Sequence, residues 1–183
     1  MIEFSLLEKI SGALKKYDIG YIIIGGQAVL LYGEARFTDD IDILLDADVS
    51  MLNIINDLVI NYGFERLSDD EFTRKTFVAP IYDKESDFRI DLIFSFSDYE
   101  KEAFSRAVTK RINDTDVRYA SLEDMIIMKL YSGRAIDIED LKKILLKNKN
   151  YDVDYLMKWL TKFDEDPESN LTEKFKDIIE SIK

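Results

Sequence analysis

The chain has 183 residues, which suits one domain or one domain with a small appendage. It contains no His and no Cys, which excludes catalysis by a Ser-His-Asp or Cys-His set and argues against a structural zinc site. Its 25 Lys and Arg residues against 37 Asp and Glu residues give a net charge of −12, so the chain has no general attraction to nucleic acid or to an anionic membrane.

The first two thirds of the chain alternate between helical and strand-like patterns. Apolar residues at helical spacing predict a first helix over about 3–17. The patterns that follow predict a strand at 21–24, a helix at 28–32, a strand at 40–45, a helix from 52 that ends at Gly63, and strands at 71–79 and 87–96. We expect Pro80 and the turn-rich residues 83–86 to form a loop between the last two strands.

From Ser121 onward the pattern is helical. It predicts helices at about 122–131, 136–147, 152–163 and 171–182. The fold class is therefore expected to be α/β, with an α+β mixed sheet. We expect an α/β domain over residues 1–120 and a C-terminal helical region over 121–183 packed on it.

The sequence gives no sign of export or membrane insertion. Its first residues lack the basic segment of a signal peptide and include Glu3 and Glu8. The most apolar stretch, 21–32, is too short to cross a bilayer and is interrupted by glycines. We therefore expect a cytoplasmic protein with no membrane partner.

Two glycines, Gly25 and Gly26, follow the strand at 21–24 and precede a helix. The N-terminus of a helix presents free N–H groups and the positive end of its dipole, and glycines let a phosphate approach the backbone closely. The same pair is also typical of an ordinary strand-to-helix turn. It indicates a phosphate site only together with other features.

An Asp-x-Asp pair, Asp40 and Asp42, lies in the next predicted strand. Residues two apart in a strand project from the same face, so these carboxylates should lie together, whereas Asp39 should face the other way. Neighbouring carboxylates repel each other unless a cation lies between them, and their oxygens suit Mg²⁺ or Mn²⁺. The alternative is an exposed strand end with solvated acids.

A third acid, Asp91, interrupts the apolar strand at 87–96. A carboxylate among apolar residues needs a compensating partner. That partner is either Arg89, on the same strand face, or a metal ion. Together, the three carboxylates could hold two hard cations about 3.5–4 Å apart, the arrangement that supports in-line displacement at phosphorus, while the glycine turn holds a triphosphate.

The segment from Ile24 to Ala28 and the run Arg36-Phe37-Thr38-Asp39-Asp40-Ile41-Asp42-Ile43 together resemble the first motif of the nucleotidyltransferase superfamily related to DNA polymerase beta. They are most similar to the AbiEii-type toxin branch, which often has a Gly-Gly pair and an Arg-x-Thr-x-Asp-Ile-Asp string. Many members of the superfamily have Ser where this chain has Gly26. Phosphate binding would then depend on backbone N–H groups.

A second stretch is similar to the helical motif of the same branch. It begins at Ser121-Leu122-Glu123-Asp124 and continues through Lys129, Gly133, Arg134, Asp137 and Asp140. By this likeness, Lys129 and Arg134 would contact the phosphates of the nucleotide. A purely structural alternative is an Arg134–Asp137 pair that fixes the turn between two helices.

The resemblance implies a nucleotidyltransferase-type fold and a metal-dependent transferase. The enzyme would move a nucleoside monophosphate from an NTP such as ATP to an acceptor hydroxyl and release pyrophosphate. Asp40, Asp42 and Asp91 would be catalytic and would bind Mg²⁺ or Mn²⁺, and Gly25, Gly26, Lys129 and Arg134 would bind the nucleotide. The acceptor would be a tRNA, a protein or a small molecule, and a toxin of this branch would have a cognate antitoxin.

Two other functions remain open at this point. A Mn²⁺-dependent glycosyltransferase also uses an Asp-x-Asp pair, although a Gly-Gly pair just before the acids is not expected there. A degenerate transferase fold could serve only to bind a partner, although the three retained acids argue against that.

Overall fold

The computed structural model describes residues 2–34, 38 and 40–182. Within this part of the chain, seven strands form one sheet. Their bounds are β1 Gly20–Ile23, β2 Asp40–Asp46, β3 Glu65–Arg66, β4 Val78–Asp83, β5 Phe88–Phe94, β6 Val108–Ile112 and β7 Thr115–Tyr119. The helices are α1 Ile2–Lys16, α2 Gly25–Tyr32, α3 Leu52–Asn61, α4 Asp70–Thr76, α5 Asp98–Ser105, α6 Leu122–Ser132, α7 Ala135–Lys147, α8 Val153–Phe163 and α9 Leu171–Ser181.

The sheet is mixed, with the strand order β3-β4-β5-β2-β1-β7-β6. Strand β2 is antiparallel to β1 on one side and parallel to β5 on the other. The parallel pair β1–β7 is joined through Ile23 and Tyr119. This architecture confirms the predicted mixed α/β fold with a helical C-terminal region.

Alternation along the central strands positions the core. Ile41 and Ile43 of β2 and Ile90 and Leu92 of β5 are all fully buried. Asp40, Asp42 and Asp91 occupy the alternate positions of the same strands. Their side chains project from the opposite face, because successive side chains of a strand alternate. The apolar positions thus hold the sheet in register and direct the acids to one side.

The prediction of a strand at 71–79 was wrong for residues 71–76, whereas residues 78 and 79 do lie in a strand, β4. Residues from Asp70 to Thr76 form helix α4, because the Asp69 carboxylate caps it by accepting a hydrogen bond of 2.8 Å from the Phe72 N–H. Acidic residues in its first turn and basic residues in its last turn complement the helix dipole.

The prediction that Pro80 forms part of a loop was wrong. Pro80 lies within β4 and pairs with Asp91 of β5. Its carbonyl oxygen accepts a hydrogen bond of 2.9 Å from the Leu67 N–H, on the β3 side of the strand. The backbone N and O of one strand residue point to the same side of the strand. Proline therefore lacks a donor only on the β3 side, and the hydrogen bonds between β4 and β5 are unaffected. Strand β3 has only two residues, so the sheet tolerates proline here.

The four C-terminal helices agree with their predicted bounds to within one or two residues. Helix α6 begins at the Ser121 cap, whose hydroxyl accepts a hydrogen bond of 3.1 Å from the Asp124 N–H. It ends at Gly133, which adopts the left-handed conformation with φ 62°. No helix in the described ranges is both long and apolar enough to cross a membrane.

The chain groups into two compact units. The first comprises Met1–Gln27 with Phe37–Ala120, and the second comprises Ala28–Arg36 with Ser121–Lys183. The sheet and the three acids belong to the first unit, and helices α6 to α9 belong to the second.

Candidate active site

The turn from β1 into α2 lies directly against the Asp-x-Asp strand. The Ile24 N–H donates a hydrogen bond of 3.0 Å to the Asp42 carbonyl oxygen. Helix α2 then begins at Gly25, three residues earlier than predicted, and Gly25 has a φ of 61°. A β-carbon on Gly25 would lie 1.9 Å from Asp42 Oδ2 and 2.8 Å from Asp42 Cγ. Only glycine fits here while the Asp42 carboxylate keeps its position.

Gly26 makes room for Thr38 in the same way. A β-carbon on Gly26 would lie 2.8 Å from Thr38 Oγ1. The Thr38 hydroxyl can donate to either of two Asp40 oxygens, the carboxylate Oδ1 at 3.0 Å and the backbone carbonyl oxygen at 3.1 Å. Side chains of the protein itself therefore occupy the space that both glycines leave. The predicted contact of Gly25 and Gly26 with a nucleotide phosphate stays a prediction.

Strands β2 and β5 bring the three acids together. In the parallel register, Asp42 lies opposite Asp91 and Asp40 lies opposite Arg89. Asp40, Asp42 and Asp91 are all half-buried, and each offers a carboxylate oxygen within 4.8 Å of those of the other two. The convergence expected from the sequence is present. Three other residues of the first motif, Arg36, Phe37 and Asp39, lie outside the described residues, so the predicted orientation of Asp39 is not described.

Arg89 is a cationic side chain in contact with this cluster. Its Nε donates to Asp91 Oδ1 at 2.8 Å, and its Nη2 donates to Asp91 Oδ2 at 2.9 Å. The hydrogen bonds to Asp91, together with the charges of Asp91, Asp40 and Asp42, raise the pKa of Arg89 above its ordinary value. The sequence analysis offered Arg89 or a metal ion as the partner of Asp91. The two are compatible, because Asp91 pairs with Arg89 and also lies in the group of three acids that could hold a metal ion.

The donor set fits a hard divalent cation. It consists of carboxylate oxygens alone, at mutual distances that one ion can bridge, and carboxylates are the ligands that Mg²⁺ and Mn²⁺ prefer. Within the described part of the chain, the Arg89 guanidinium forms an ion pair with Asp91, one of the three carboxylates. The three acids are also half-buried rather than fully solvated, which strengthens their attraction for a cation.

Lys129 forms a buried ion cluster within the second unit. Its ammonium group donates to Asp137 Oδ1 at 2.6 Å and to Asp140 Oδ2 at 2.9 Å, and its side chain is only 4% exposed. Arg134, which is 70% exposed, donates from Nε to Asp137 Oδ2 at 2.5 Å. The structural alternative, an Arg134–Asp137 pair between α6 and α7, is therefore present. Nucleotide binding by Lys129 and Arg134 stays a prediction.

Two side chains near the acids were not assigned a role from the sequence. Thr38 donates to Asp40, and its place two residues before that acid in the first motif was the available signal. Arg89 was considered only as an ion-pair partner of Asp91. Its cross-strand position opposite Asp40 depends on the β2–β5 register, which a single sequence does not reveal.

Comparisons with known proteins agree on the type of fold. A family model described as "Nucleotidyltransferase of unknown function (DUF6036)" matches residues 3–183. A search of curated proteins finds no match. An antigenic nucleotidyltransferase-like protein from Paracoccidioides brasiliensis is 19% identical, with a TM-score of 0.56 over 78% of this chain and 74% of that one.

Two antibiotic-related proteins are similar to the chain in structure. The antibiotic-resistance factor ANT(2'')-Ia is 18% identical, with a TM-score of 0.58 over 79% of this chain and 83% of that one. The lincosamide antibiotic adenylyltransferase LnuA, solved with lincomycin bound, is 16% identical, with a TM-score of 0.53 over 74% and 91%. At these identities the likeness shows the fold alone, and it confirms the predicted nucleotidyltransferase-type fold. The AbiEii-type branch stays a prediction.

Proposed function

Since the chain belongs to the DUF6036 family of nucleotidyltransferases, we propose that it moves a nucleoside monophosphate from an NTP to an acceptor hydroxyl and releases pyrophosphate. The observation that carries this proposal is the convergence of Asp40, Asp42 and Asp91 beside the Gly25–Gly26 turn. Each feature alone has a purely structural explanation. Their combination at one end of β2 favours a metal and nucleotide site, because the three carboxylates repel one another and their oxygens suit a divalent cation.

The carboxylates would hold Mg²⁺ or Mn²⁺. In this proposal Asp40 and Asp42 bind both ions, and Asp91 completes one of the two sites and helps to activate the acceptor hydroxyl. Bound cations would supply charge neutralisation for the triphosphate and would lower the pKa of that hydroxyl. The protein itself would hold the three carboxylates in place. Thr38 donates a hydrogen bond to Asp40, Arg89 donates to Asp91, and Gly25 packs closely against Asp42.

The triphosphate would lie against the start of α2. The first N–H groups of a helix have no partner within that helix, and the helix dipole favours negative charge there. Gly25 and Gly26 are the first two residues of α2, next to Asp42. Lys129 and Arg134 are proposed as further phosphate contacts.

The acceptor is proposed to be a tRNA, a protein or a small molecule, and the activity to be that of a cytoplasmic toxin with a cognate antitoxin. The motif likeness supports the toxin, and the fold likeness to an adenylyltransferase with bound lincomycin supports a small acceptor. A net charge of −12 weakly disfavours a large nucleic acid.

The experiment that tests the activity is incubation with each α-labelled NTP, Mg²⁺ and a cell extract. Fractionation then shows whether the label enters RNA, protein or a small molecule. Asp42→Asn should lose incorporation. Asp46→Asn is the matched control, because it removes the same charge from an exposed position at the other end of β2, and it should keep incorporation. Equal incorporation by the wild-type protein and Asp42→Asn would contradict the proposal, and so would no incorporation from any NTP.

A further inference from the structure

Arg89 occupies both oxygens of one of the three clustered carboxylates. Its two hydrogen bonds to Asp91, at 2.8 and 2.9 Å, form the bidentate fork that a guanidinium makes with a carboxylate. Asp91 is 15% exposed and Arg89 is 49% exposed, so the acid is held in the sheet while the base reaches it from the solvent side. This pair is stronger than an ordinary surface ion pair, because the geometry is bidentate and the acid is mostly shielded.

The position of Arg89 follows from the sheet register. It lies opposite Asp40 on the neighbouring parallel strand, and Asp91 lies opposite Asp42. One positive charge is therefore built into a square of four cross-strand positions whose other three members are acids. Without a cation, this guanidinium offsets part of the repulsion among the three carboxylates.

A divalent cation that binds these carboxylates meets two costs from Arg89. The guanidinium repels the incoming ion, and its fork uses a lone pair on each of the Asp91 oxygens that the ion needs. Arg89 must then loosen its fork or share the oxygens. Because half of its side chain is exposed, it can move away without disturbing the core.

Resting on the proposed function, we infer that Arg89 is a positioning residue that acts through Asp91: it serves as a built-in counter-ion of the acidic site and competes with the divalent cation for Asp91. The wild-type protein therefore binds the metal alone weakly. Removing the guanidinium makes metal binding tighter, even though it removes a contact that holds Asp91.

The test is Mn²⁺ binding to the intact chain without nucleotide, measured by the electron paramagnetic resonance of free Mn²⁺ and by calorimetry. Arg89→Gln should lower the Kd for Mn²⁺ about three- to tenfold, the size expected when one ion pair no longer opposes binding. Arg89→Lys keeps the charge but loses the fork and should fall between wild type and Arg89→Gln.

Arg111→Gln is the matched control. Arg111 is an exposed arginine that pairs with Asp114 and Asp116. Replacing it with glutamine removes one positive charge, as Arg89→Gln does. Its Kd for Mn²⁺ should equal that of the wild type. A control shift as large as that of Arg89→Gln would assign the effect to overall charge and overturn the inference.

The outcomes separate this inference from the function it rests on. If Mn²⁺ binds, Asp42→Asn abolishes binding and Arg89→Gln binds no more tightly than wild type, then the counter-ion role is wrong and the metal site stands. If no variant binds Mn²⁺, with or without ATP, then the metal site itself is wrong, and the inference falls with it. A purely structural role for Arg89 would change thermal stability without lowering the Kd.

Discussion

Asp42 and Gly25 are in such close contact that a β-carbon on Gly25 would lie 1.9 Å from the Asp42 carboxylate oxygen. The backbone at Gly25 also has a φ of 61°, which side chains other than that of glycine rarely adopt. Two independent constraints thus require glycine at the position where the predicted phosphate-binding turn meets the predicted metal site.

Gly25→Ala should therefore disrupt both the fold and the site. We expect the free energy of unfolding to fall by about 2–5 kcal/mol, from left-handed strain together with overpacking against Asp42. Denaturant titration measures this loss, and NTP incorporation should fall with it. Gly63→Ala is the control, because Gly63 has a φ of 72° but nothing within 4 Å of an added β-carbon. It should cost only the strain, about 1–2 kcal/mol. Equal costs at the two positions would mean that Asp42 can move away freely.

Asp42→Asn should separate stability from ligand binding. The substitution keeps the shape of the side chain and relieves like-charge repulsion, so we expect the free energy of unfolding to change by no more than about 1 kcal/mol. The wild-type protein should gain about 2.7 kcal/mol of stability from Mg²⁺ and ATP at a hundred times the Kd, seen as a rise in Tm. The variant should show no such rise. A rise of the same size in Asp42→Asn would contradict the role of this carboxylate.

Local sequence patterns predicted the acid-bearing strands because the required information is short in range. Apolar residues at every second position of β2 and β5 define the buried face, so the opposite orientation of Asp40, Asp42 and Asp91 follows from period-two alternation. The C-terminal helices were similarly clear, since Ser121 and Gly133 mark the two ends of α6.

The predictions that were wrong have two causes. In one place a single capping residue outweighs a strand-like pattern, and in others the structure depends on contacts between residues that are distant in the sequence. Asp69 caps a helix in a segment whose other residues favour a strand. Pro80 is tolerated in β4 because its missing N–H faces a two-residue strand, and this depends on strand order. The position of Arg89 opposite Asp40 depends on the register between β2 and β5. Strand order and register, unlike the Asp69 cap, cannot be read from residue spacing.

Thr38→Val should weaken the site without removing a ligand. The hydroxyl that donates to Asp40 is lost while the size of the side chain is kept. A hydrogen bond to a charged group contributes about 1.5–3 kcal/mol when fully buried, and Asp40 is only half-buried. We therefore expect kcat/KM for the NTP to fall about three- to tenfold in an incorporation assay. Thr38→Ser keeps the hydroxyl and should retain most of the activity. If the serine variant loses as much as the valine variant, the methyl group rather than the hydrogen bond holds Asp40.

Lys129 and Arg134 should respond differently to substitution because their burial differs. Lys129→Met leaves Asp137 and Asp140 buried without the ammonium group and should cost about 3–5 kcal/mol of unfolding free energy. Arg134→Gln changes an exposed side chain but removes the guanidinium that pairs with the buried Asp137, so it should cost less than Lys129→Met, about 1–2 kcal/mol. Loss of activity in Lys129→Met therefore has a structural explanation.

Arg134→Gln is the informative variant for nucleotide binding. If Arg134 contacts a phosphate, the Kd for ATP should rise about fivefold, as measured with a fluorescent analogue, while the unfolding midpoint falls much less than in Lys129→Met. An unchanged Kd would leave the Arg134–Asp137 ion pair as the role of this arginine.

Asp137 should make the stability of the protein depend on pH in the acid range. Burial alone would raise the pKa of Asp137, but hydrogen bonds from Arg134, Lys129 and Ser132 outweigh it and lower the pKa from 3.8 to about 2. A carboxyl whose pKa is lower in the folded state stabilises the fold at pH values above its unfolded pKa. That stabilisation, about 2 kcal/mol, is lost as the pH falls from about 4 to about 2.

Urea unfolding of the wild type and Asp137→Asn between pH 2 and pH 6 measures this contribution. The difference in unfolding free energy should be constant above pH 5 and should shrink by about 2 kcal/mol toward pH 2, because Asp137 of the wild type takes up a proton at a higher pH in the unfolded state than in the native state, and the variant has no titrating group at this position. Asp177→Asn, which removes an exposed carboxylate from α9, should show a difference that stays nearly constant over the same range. A constant difference for Asp137→Asn as well would mean that the buried ion cluster around Lys129 does not stabilise the charged form of Asp137.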